Sequence, residues 1–150
     1  MLRKTLILFP ILFSLTVGTA YAAYKIKASD AMDYRQGVFH AIAWNFGSMA
    51  AMLKGEIAFD QNQFARSALR IEQLSHMPLE GFIPDSTGWG SDAKAAIWSN
   101  WDDFKAKMEE FQRNSVDLTK TANAGQREAI AAAFTKTAES CKGCHDKYKK

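Results

Sequence analysis

The sequence predicts an all-α fold, an antiparallel four-helix bundle, and three observations support this prediction. Apolar side chains recur at steps of three and four residues through four long segments, as they do in amphipathic helices. Proline and glycine concentrate in one stretch, residues 78–90, which would connect the second helix to the third. No segment alternates convincingly between apolar and polar residues, as a half-buried strand would. Helices joined mostly by short connections pack as antiparallel neighbours.

The first helix is predicted over residues 29–54. Ser29 or Asp30 would cap its free N–H groups. Gly37 and Gly47 lie inside it, and each costs roughly 1 kcal/mol relative to alanine, so we expect close packing at these positions. Its stripe includes one arginine and consists of Arg35, Val38, Phe39, Ile42, Phe46, Met49 and Leu53.

Three further helices follow. The second begins at Asp60, with Gln63 placed for a capping box, and ends before the proline–glycine stretch. The third begins at Ser91 or Asp92, and the fourth covers residues 126–148. The seam of the third helix is formed by Ile97, Trp101, Phe104, Met108 and Phe111.

The first 22 residues are typical of a cleavable secretory signal peptide. Arg3 and Lys4 precede an apolar run over residues 6–17, and residues 20–22 form a small-x-small cleavage pattern. A retained membrane anchor is the alternative, but the run is shorter than the about 20 residues that span a bilayer. We therefore expect one exported domain, residues 23–150, with no membrane attachment once the signal is removed.

Composition argues against a nucleic-acid partner. Cleavage would remove two of the 19 basic residues and none of the 16 acidic ones, which leaves a net charge of +1. No long basic run is present besides the short cluster at residues 147–150.

The two cysteines lie in one pentapeptide, CKGCH, at residues 141–145. Cys-x-x-Cys-His is the haem c attachment signature. At about 100° per helical residue, Cys144 falls about 60° short of a full turn from Cys141, and His145 about 40° beyond it. All three side chains therefore leave one helix face, where two thiols can bind haem vinyl groups and the imidazole can reach the iron. We predict one covalently bound haem c per chain.

Other interpretations of this motif are weaker. A zinc site needs four ligands, or three and a water, and only His40 and His76 remain as obvious further donors. A dithiol redox motif usually lies in a βαβ unit, which the sequence lacks. A chance occurrence is the third alternative, but the export signal and the shared helical face favour haem.

Three stretches of the chain together resemble the class II c-type cytochromes, specifically the cytochrome c′ family. They are SDAMDYRQGVFHAIAWNFGSM, SDAKAAIWSNWDDFKAK and ESCKGCHDKYKK, and the resemblance covers essentially the whole mature chain. It implies a four-helix bundle that carries haem c. Because five residues follow His145, we expect any second axial ligand to come from an upstream helix.

The resemblance also indicates the residue on the open side of the haem. In this family it lies three or four positions after an Arg-Gln pair in the first helix. Low-spin relatives have methionine there, and high-spin cytochromes c′ have an apolar residue. The pair here is Arg35-Gln36 and the position is Phe39, which has no donor atom and stands where leucine is commoner. Five-coordinate iron is therefore implied, although Phe39 could equally be an ordinary core aromatic.

Other possible iron ligands are less favourable. Met32 lies two turns before Phe39, roughly 10 Å along the helix axis. His40 projects about 100° away from Phe39, and we expect it to be exposed or loosely packed. His76 ends the second helix, where a cation is favourable.

Further site residues are implied by the resemblance, each with an ordinary alternative. Arg35 and Gln36 would lie near the haem propionates, although Arg35 could be an exposed helix charge. Asp92 would approach the haem edge, or could be a plain N-cap. Lys149, one turn after His145, would be a cation on the proximal side, or a solvated lysine.

These features predict a periplasmic binding protein rather than an enzyme. Its iron would take nitric oxide and, weakly, carbon monoxide, but not stable dioxygen, because an apolar lid offers few hydrogen-bond donors. A low-spin electron carrier with a redox partner protein is the alternative, and a peroxidase is least favoured because no His–Arg pair lies beside Phe39. The resemblance also suggests a homodimer, formed by exposed apolar residues such as Trp44 or Met52.

Overall fold

The computed structural model describes residues 25–88 and 90–150. The elements in this part of the chain are α1 (Ala28–Lys54), α2 (Gln61–Ser75), a 3-10 helix (Pro78–Gly81), α3 (Ala96–Ser99), α4 (Trp101–Ala124) and α5 (Arg127–Tyr148). The helix α1 packs against α2, α2 against α4, and α4 against α5. The predicted all-α four-helix bundle is confirmed, with α1, α2, α4 and α5 as its members. The predicted signal peptide lies outside the described residues.

A membrane-spanning helix does not occur in residues 25–88 and 90–150, since no helix there is both long enough and apolar enough.

The predicted bounds of the first two helices agree with the structure, but one cap does not. Asp60 caps α2, and its side chain accepts a hydrogen bond from the Gln63 backbone N–H at 2.9 Å. The prediction that Ser29 or Asp30 caps α1 is wrong. The chain enters α1 earlier, at Lys27, so both residues lie inside the first turn and no side chain caps the helix.

The predicted start of the third helix at Ser91 or Asp92 is wrong as well. These residues are not helical, and helix begins only with the single turn α3. The helix α4 starts after Asn100, whose φ of −130° interrupts the helical backbone. The reason is partly local and partly tertiary. The Ser91 hydroxyl accepts the Ala93 N–H at 3.2 Å, and the Asp92 carbonyl accepts the N–H of the distant Lys150 at 2.8 Å. A local side-chain bond and a long-range backbone bond therefore replace the helical bonds at this point.

Two groups of buried apolar residues form the core. The larger fills the middle of the bundle, where Phe64, Ile71, Leu118 and Ile130 are fully buried. The smaller lies at one end and contains Phe82, Ile97, Phe104, Met108 and Tyr148. Phe39 packs against both groups.

The helices α1 and α5 pack directly against each other at one level of the bundle and are separated by a cavity at another. At one level the Phe46 and Phe134 rings stack with centroids 4.1 Å apart, which joins these two helices directly. Nearer the start of α1, the two helices instead line the walls of a shared cavity. The end of the bundle that holds the smaller core group is therefore the open end.

The 3-10 helix approaches α1 so closely that only glycine fits at residue 81. A Cβ on Gly81 would lie 2.9 Å from the Ala31 carbonyl oxygen and 2.9 Å from the Arg35 Cβ. The expectation of close packing at Gly37 and Gly47 is wrong, because a Cβ at either would meet no described atom within 4 Å. The close backbone contact lies at the connecting segment, not within the long helix.

Replacing Gly81 with alanine should destabilise the folded protein by about 1–3 kcal/mol, the usual cost of overpacking. The matched control Gly37→Ala should instead stabilise it by up to about 1 kcal/mol, because alanine is the better helix former and no described atom opposes its Cβ. Urea unfolding followed by circular dichroism measures both. Equal effects from the two substitutions would contradict the close contact at Gly81.

Candidate haem-binding site

A cavity of about 600 Å³ opens between α1, α4, α5 and the segment that precedes α3. The structure brings every predicted site residue to its wall. These residues are Arg35, Gln36, Phe39, Asp92, Cys141, Cys144, His145 and Lys149. The rest of the lining is mostly apolar and includes Phe46, Phe82, Ile97, Phe104 and Phe111.

The two cysteines lie on the face of α5 that borders the cavity. Both are half-buried free thiols, and Cys141 packs against the larger core group while Cys144 packs against the smaller. Burial raises the pKa of Cys141 to about 11 and also raises the pKa of Cys144. Both side chains are therefore neutral thiols at neutral pH, on a wall suited to an apolar group.

His145 follows Cys144 directly and lines the same cavity. Partial burial lowers the pKa of His145, and the nearby Lys149 cation lowers it further. Both effects favour the neutral imidazole, the form whose nitrogen lone pair can bind a metal.

Arg35 is the buried arginine of the α1 stripe, with only 2% of its surface exposed. Its Nη1 donates to the Gly81 carbonyl at 2.6 Å and to the Ser86 hydroxyl at 2.7 Å. Its Nη2 donates to the Ser86 carbonyl and, at 3.0 Å, to the Ser91 hydroxyl. The alternative that Arg35 is an exposed helix charge is therefore wrong.

None of the acceptors of Arg35 is charged. Within the described part of the chain, no carboxylate forms an ion pair with this guanidinium, and burial lowers its pKa. A buried cation without a counter-ion is unfavourable. A propionate of a haem in the adjoining cavity would supply the missing negative charge, and the planar guanidinium suits a carboxylate.

The remaining predicted polar residues lie on the rim of the cavity. Gln36 donates from Nε2 to the Gly90 carbonyl at 2.8 Å. Asp92 is exposed, and its carboxylate lies 3.8 Å from the Lys149 ammonium. Asp92 caps no helix, because α3 begins four residues later, so the N-cap alternative is wrong. The exposed Asp92–Lys149 pair contributes little stability, about 0–1 kcal/mol.

Phe39 lines the cavity from α1, whereas the haem-binding motif lines it from α5. The Phe39 ring is half-buried and meets the edge of Phe82, with centroids 6.5 Å apart. Its carbon-only side chain offers no lone pair to an iron in this cavity. Phe39 is also part of the core packing, so the two interpretations of the residue do not exclude each other.

Two donor side chains in the cavity wall were not assigned to it from sequence. His40 is exposed, as expected, yet it also borders the cavity. Met108 is buried at 3% exposure and lines the cavity from α4. Its place on the α4 seam, one turn after Phe104, could have indicated this. Sequence reasoning also missed Ser86 and Ser91, because nothing local shows that they bind Arg35.

The donor set of the cavity fits covalent haem c. Two thiols and an imidazole share one helix face, a buried guanidinium lacks a carboxylate, and the walls are largely apolar. No group of three His, Cys, Asp or Glu side chains suited to a metal ion occurs among the described residues, so these residues do not form the alternative zinc site. The fold and the site together define a helix-bundle protein with covalently attached haem.

Comparison with known proteins agrees with this class. The protein-family model described as cytochrome c′ matches residues 30–149. Cytochrome c′ of Rubrivivax gelatinosus is 40% identical over 124 residues, which is 82% of this chain and 96% of that protein. The chain belongs to the cytochrome c′ family, and its cofactor is haem c.

Solved structures show the same relationship. Cytochrome c′ of Shewanella frigidimarina superposes with a TM-score of 0.82 at 44% identity, covering 85% of this chain and 99% of that one. A nitric oxide complex of a variant cytochrome c′ from Alcaligenes xylosoxidans superposes with a TM-score of 0.78 at 37% identity, covering 85% of this chain and 99% of that one. A second variant of the Alcaligenes protein is known with carbon monoxide bound.

Proposed function

We propose that this chain is a periplasmic, non-enzymatic haem protein whose iron is five-coordinate and binds small gaseous ligands. His145 supplies the one axial protein ligand, and Cys141 and Cys144 supply the covalent links. The observation that carries the proposal is Phe39, which lines the haem cavity from α1 and has no donor atom.

The chemistry of the cavity wall supports nitric oxide and carbon monoxide as the ligands. When bound, the haem supplies an iron with an open coordination position. Aromatic and aliphatic side chains provide most of the surrounding surface, with Phe39 and Phe82 in edge contact. Bound dioxygen develops negative charge that needs hydrogen-bond donors, whereas carbon monoxide and nitric oxide depend on them less. The nitric oxide and carbon monoxide complexes of the Alcaligenes protein are consistent with this choice.

The proposed location rests on the predicted signal peptide and on the family. A basic start, an apolar run and a cleavage pattern at residues 20–22 are the features that export requires.

A low-spin electron carrier remains the second candidate, and a specific observation favours it. Met108 and His40 both line the haem cavity, and each carries an atom that can bind iron. A movement of either side chain onto the iron would make it six-coordinate, and electron exchange with a redox partner protein would then be the function.

The spectrum of the reduced holoprotein distinguishes these two functions. We expect a five-coordinate high-spin spectrum that changes on addition of nitric oxide, because no side-chain donor lies at Phe39. A six-coordinate low-spin spectrum that nitric oxide leaves unchanged would instead establish the electron carrier.

Replacing Phe39 with alanine should speed carbon monoxide binding, because the ring no longer has to move aside. Stopped-flow association with the ferrous holoprotein measures this effect. Phe59→Ala is the control, since Phe59 is another half-buried aromatic, packed against Phe64 outside the cavity. Unchanged association in Phe39→Ala would show that Phe39 does not cover the iron.

We also propose a homodimer that uses the exposed face of α1. Trp44 is 83% exposed, and it borders a groove between α1 and α2 lined by Gly47, Ser48 and Ser67. The suggestion that Met52 serves the interface is wrong, because Met52 is 1% exposed and belongs to the core. Tryptophan is enriched at protein–protein interfaces, which favours Trp44 as part of one.

Trp44→Glu should convert the dimer to a monomer, because a carboxylate would be buried at the interface. Sedimentation equilibrium of the holoprotein measures the change. Trp101→Glu, at an exposed tryptophan at the start of α4, should leave the association constant unaltered. Dimer retained in Trp44→Glu would place the interface elsewhere.

A further inference from the structure

The last turn of α5, which carries His145, is held from one side by α4. Tyr148 is 2% exposed, and its ring meets Phe104 edge-on with centroids 5.3 Å apart. The Tyr148 hydroxyl donates to the Asp103 carboxylate at 2.5 Å. The same carboxylate oxygen accepts from the Lys147 ammonium at 2.9 Å. These contacts fix the α5 backbone three residues beyond His145 against the start of α4.

A second attachment comes from the backbone that follows α5. Ala93 and Lys149 form an antiparallel β-bridge. The Lys94 N–H donates to the Tyr148 carbonyl at 2.9 Å, and the Lys150 N–H donates to the Asp92 carbonyl at 2.8 Å. The Lys149 N–H in turn closes the helix on the His145 carbonyl at 2.9 Å. The residues after His145 are thus joined to the segment before α3 by main-chain bonds, independent of side-chain identity.

This bridge is continuous with the Arg35 site on α1. The Ser91 hydroxyl accepts from the Ala93 N–H and also from Arg35 Nη2 at 3.0 Å. The Ser91 carbonyl accepts from the Lys150 ammonium at 3.3 Å. Ser91 is itself 6% exposed, and its bond to Arg35 is buried. A chain of hydrogen bonds therefore runs from the buried arginine of α1, through Ser91, to the turn that carries His145.

We propose that the β-bridge between residues 92–94 and 148–150, together with Ser91, positions the His145 imidazole and so sets the strength of its bond to the iron. These are positioning residues, because the main-chain bonds act on His145 through the last turn of α5. The inference rests on the proposed role of His145 as the axial ligand. It goes further in assigning a function to a backbone contact outside the haem-binding motif.

His145 lies in the last turn of α5. The last turn of an unsupported helix frays, because its final carbonyls lack partners within the helix. In α5 this turn carries His145, which would be the axial ligand of the haem iron. A frayed turn would let the imidazole tilt and lengthen its bond to iron, whereas a turn joined to both α4 and the bridge keeps one orientation.

Lys150→Pro tests the bridge with little other change. Proline removes the N–H that donates to the Asp92 carbonyl. The preceding residue, Lys149, already has φ −109° and ψ 140°, the conformation that a residue before proline prefers. Lys150→Ala is the matched control, since it removes the ammonium but keeps the N–H.

Resonance Raman spectroscopy of the ferrous holoprotein measures the iron–histidine stretching band. We expect this band to shift to lower frequency and broaden in Lys150→Pro, and to stay at the wild-type position in Lys150→Ala. Hydrogen exchange followed by mass spectrometry should show faster exchange in the peptide over residues 145–150 in Lys150→Pro.

Ser91→Ala provides a second, independent arm, which decides the matter if Lys150→Pro does not fold. It removes the acceptor shared by Arg35 and the Ala93 N–H, and we expect a band shift in the same direction. Ser99→Ala is its control, because the Ser99 hydroxyl is exposed and donates within its own turn.

The outcomes separate the inference from the proposed function. Absence of an iron–histidine band in the wild-type protein would overturn His145 as the ligand. A wild-type band that is unmoved in both Lys150→Pro and Ser91→Ala would overturn the inference alone, even if both variants melt at lower temperature. An equal shift in Lys150→Ala would also overturn it, because the side chain rather than the backbone would then be responsible.

Discussion

The buried guanidinium of Arg35 holds the open end of this bundle together. It lies on α1, yet all its recorded hydrogen bonds go to Gly81, Ser86 and Ser91, in the long connection between α2 and α4. The regular structure in the described part of that connection is limited to two short helices, Pro78–Gly81 and Ala96–Ser99. Two of the four bonds go to backbone carbonyls, groups that must be paired when buried. Arg35 thus pairs backbone carbonyls of the connection that would be paired by main-chain N–H groups in a strand or helix.

The same residue lies beside the cavity. Phe82 follows the Arg35-bound turn, and its ring lies 4.5 Å from the guanidinium carbon, on the wall of the cavity. The connection is therefore pinned to α1 on one side and to α5, by the β-bridge of Ala93 with Lys149, on the other. Held by both contacts, the connection forms one wall of the cavity of about 600 Å³.

Sequence reasoning was reliable where local chemistry decides the structure. The α2 cap at Asp60 and the stripe of α1 follow from short-range rules, but the burial of Arg35 does not, since an exposed helix charge was left as the alternative. The Cys-x-x-Cys-His spacing likewise put three side chains on one face without knowledge of the fold. The start of the third helix could not be predicted, because Ser91 and Asp92 bond to Arg35 and Lys150, which are distant in sequence. The bond between Ser91 and Arg35 therefore accounts both for part of the wrong helix start and for the role of Ser91 that sequence reasoning missed.

The wall of the cavity is also part of the apolar core. Cys141 and Phe39 pack against buried groups on one side and face the cavity on the other, so the apolar interior of the open end is incomplete without a flat apolar cofactor. Packed interiors tolerate few voids of this size, since their lining atoms lose contacts. A haem linked to α5 through two thiols would fill the void and bring a propionate to the unpaired charge of Arg35. A bound haem would therefore complete the core, and in the proposed function Phe39 would both pack against it and cover its open side.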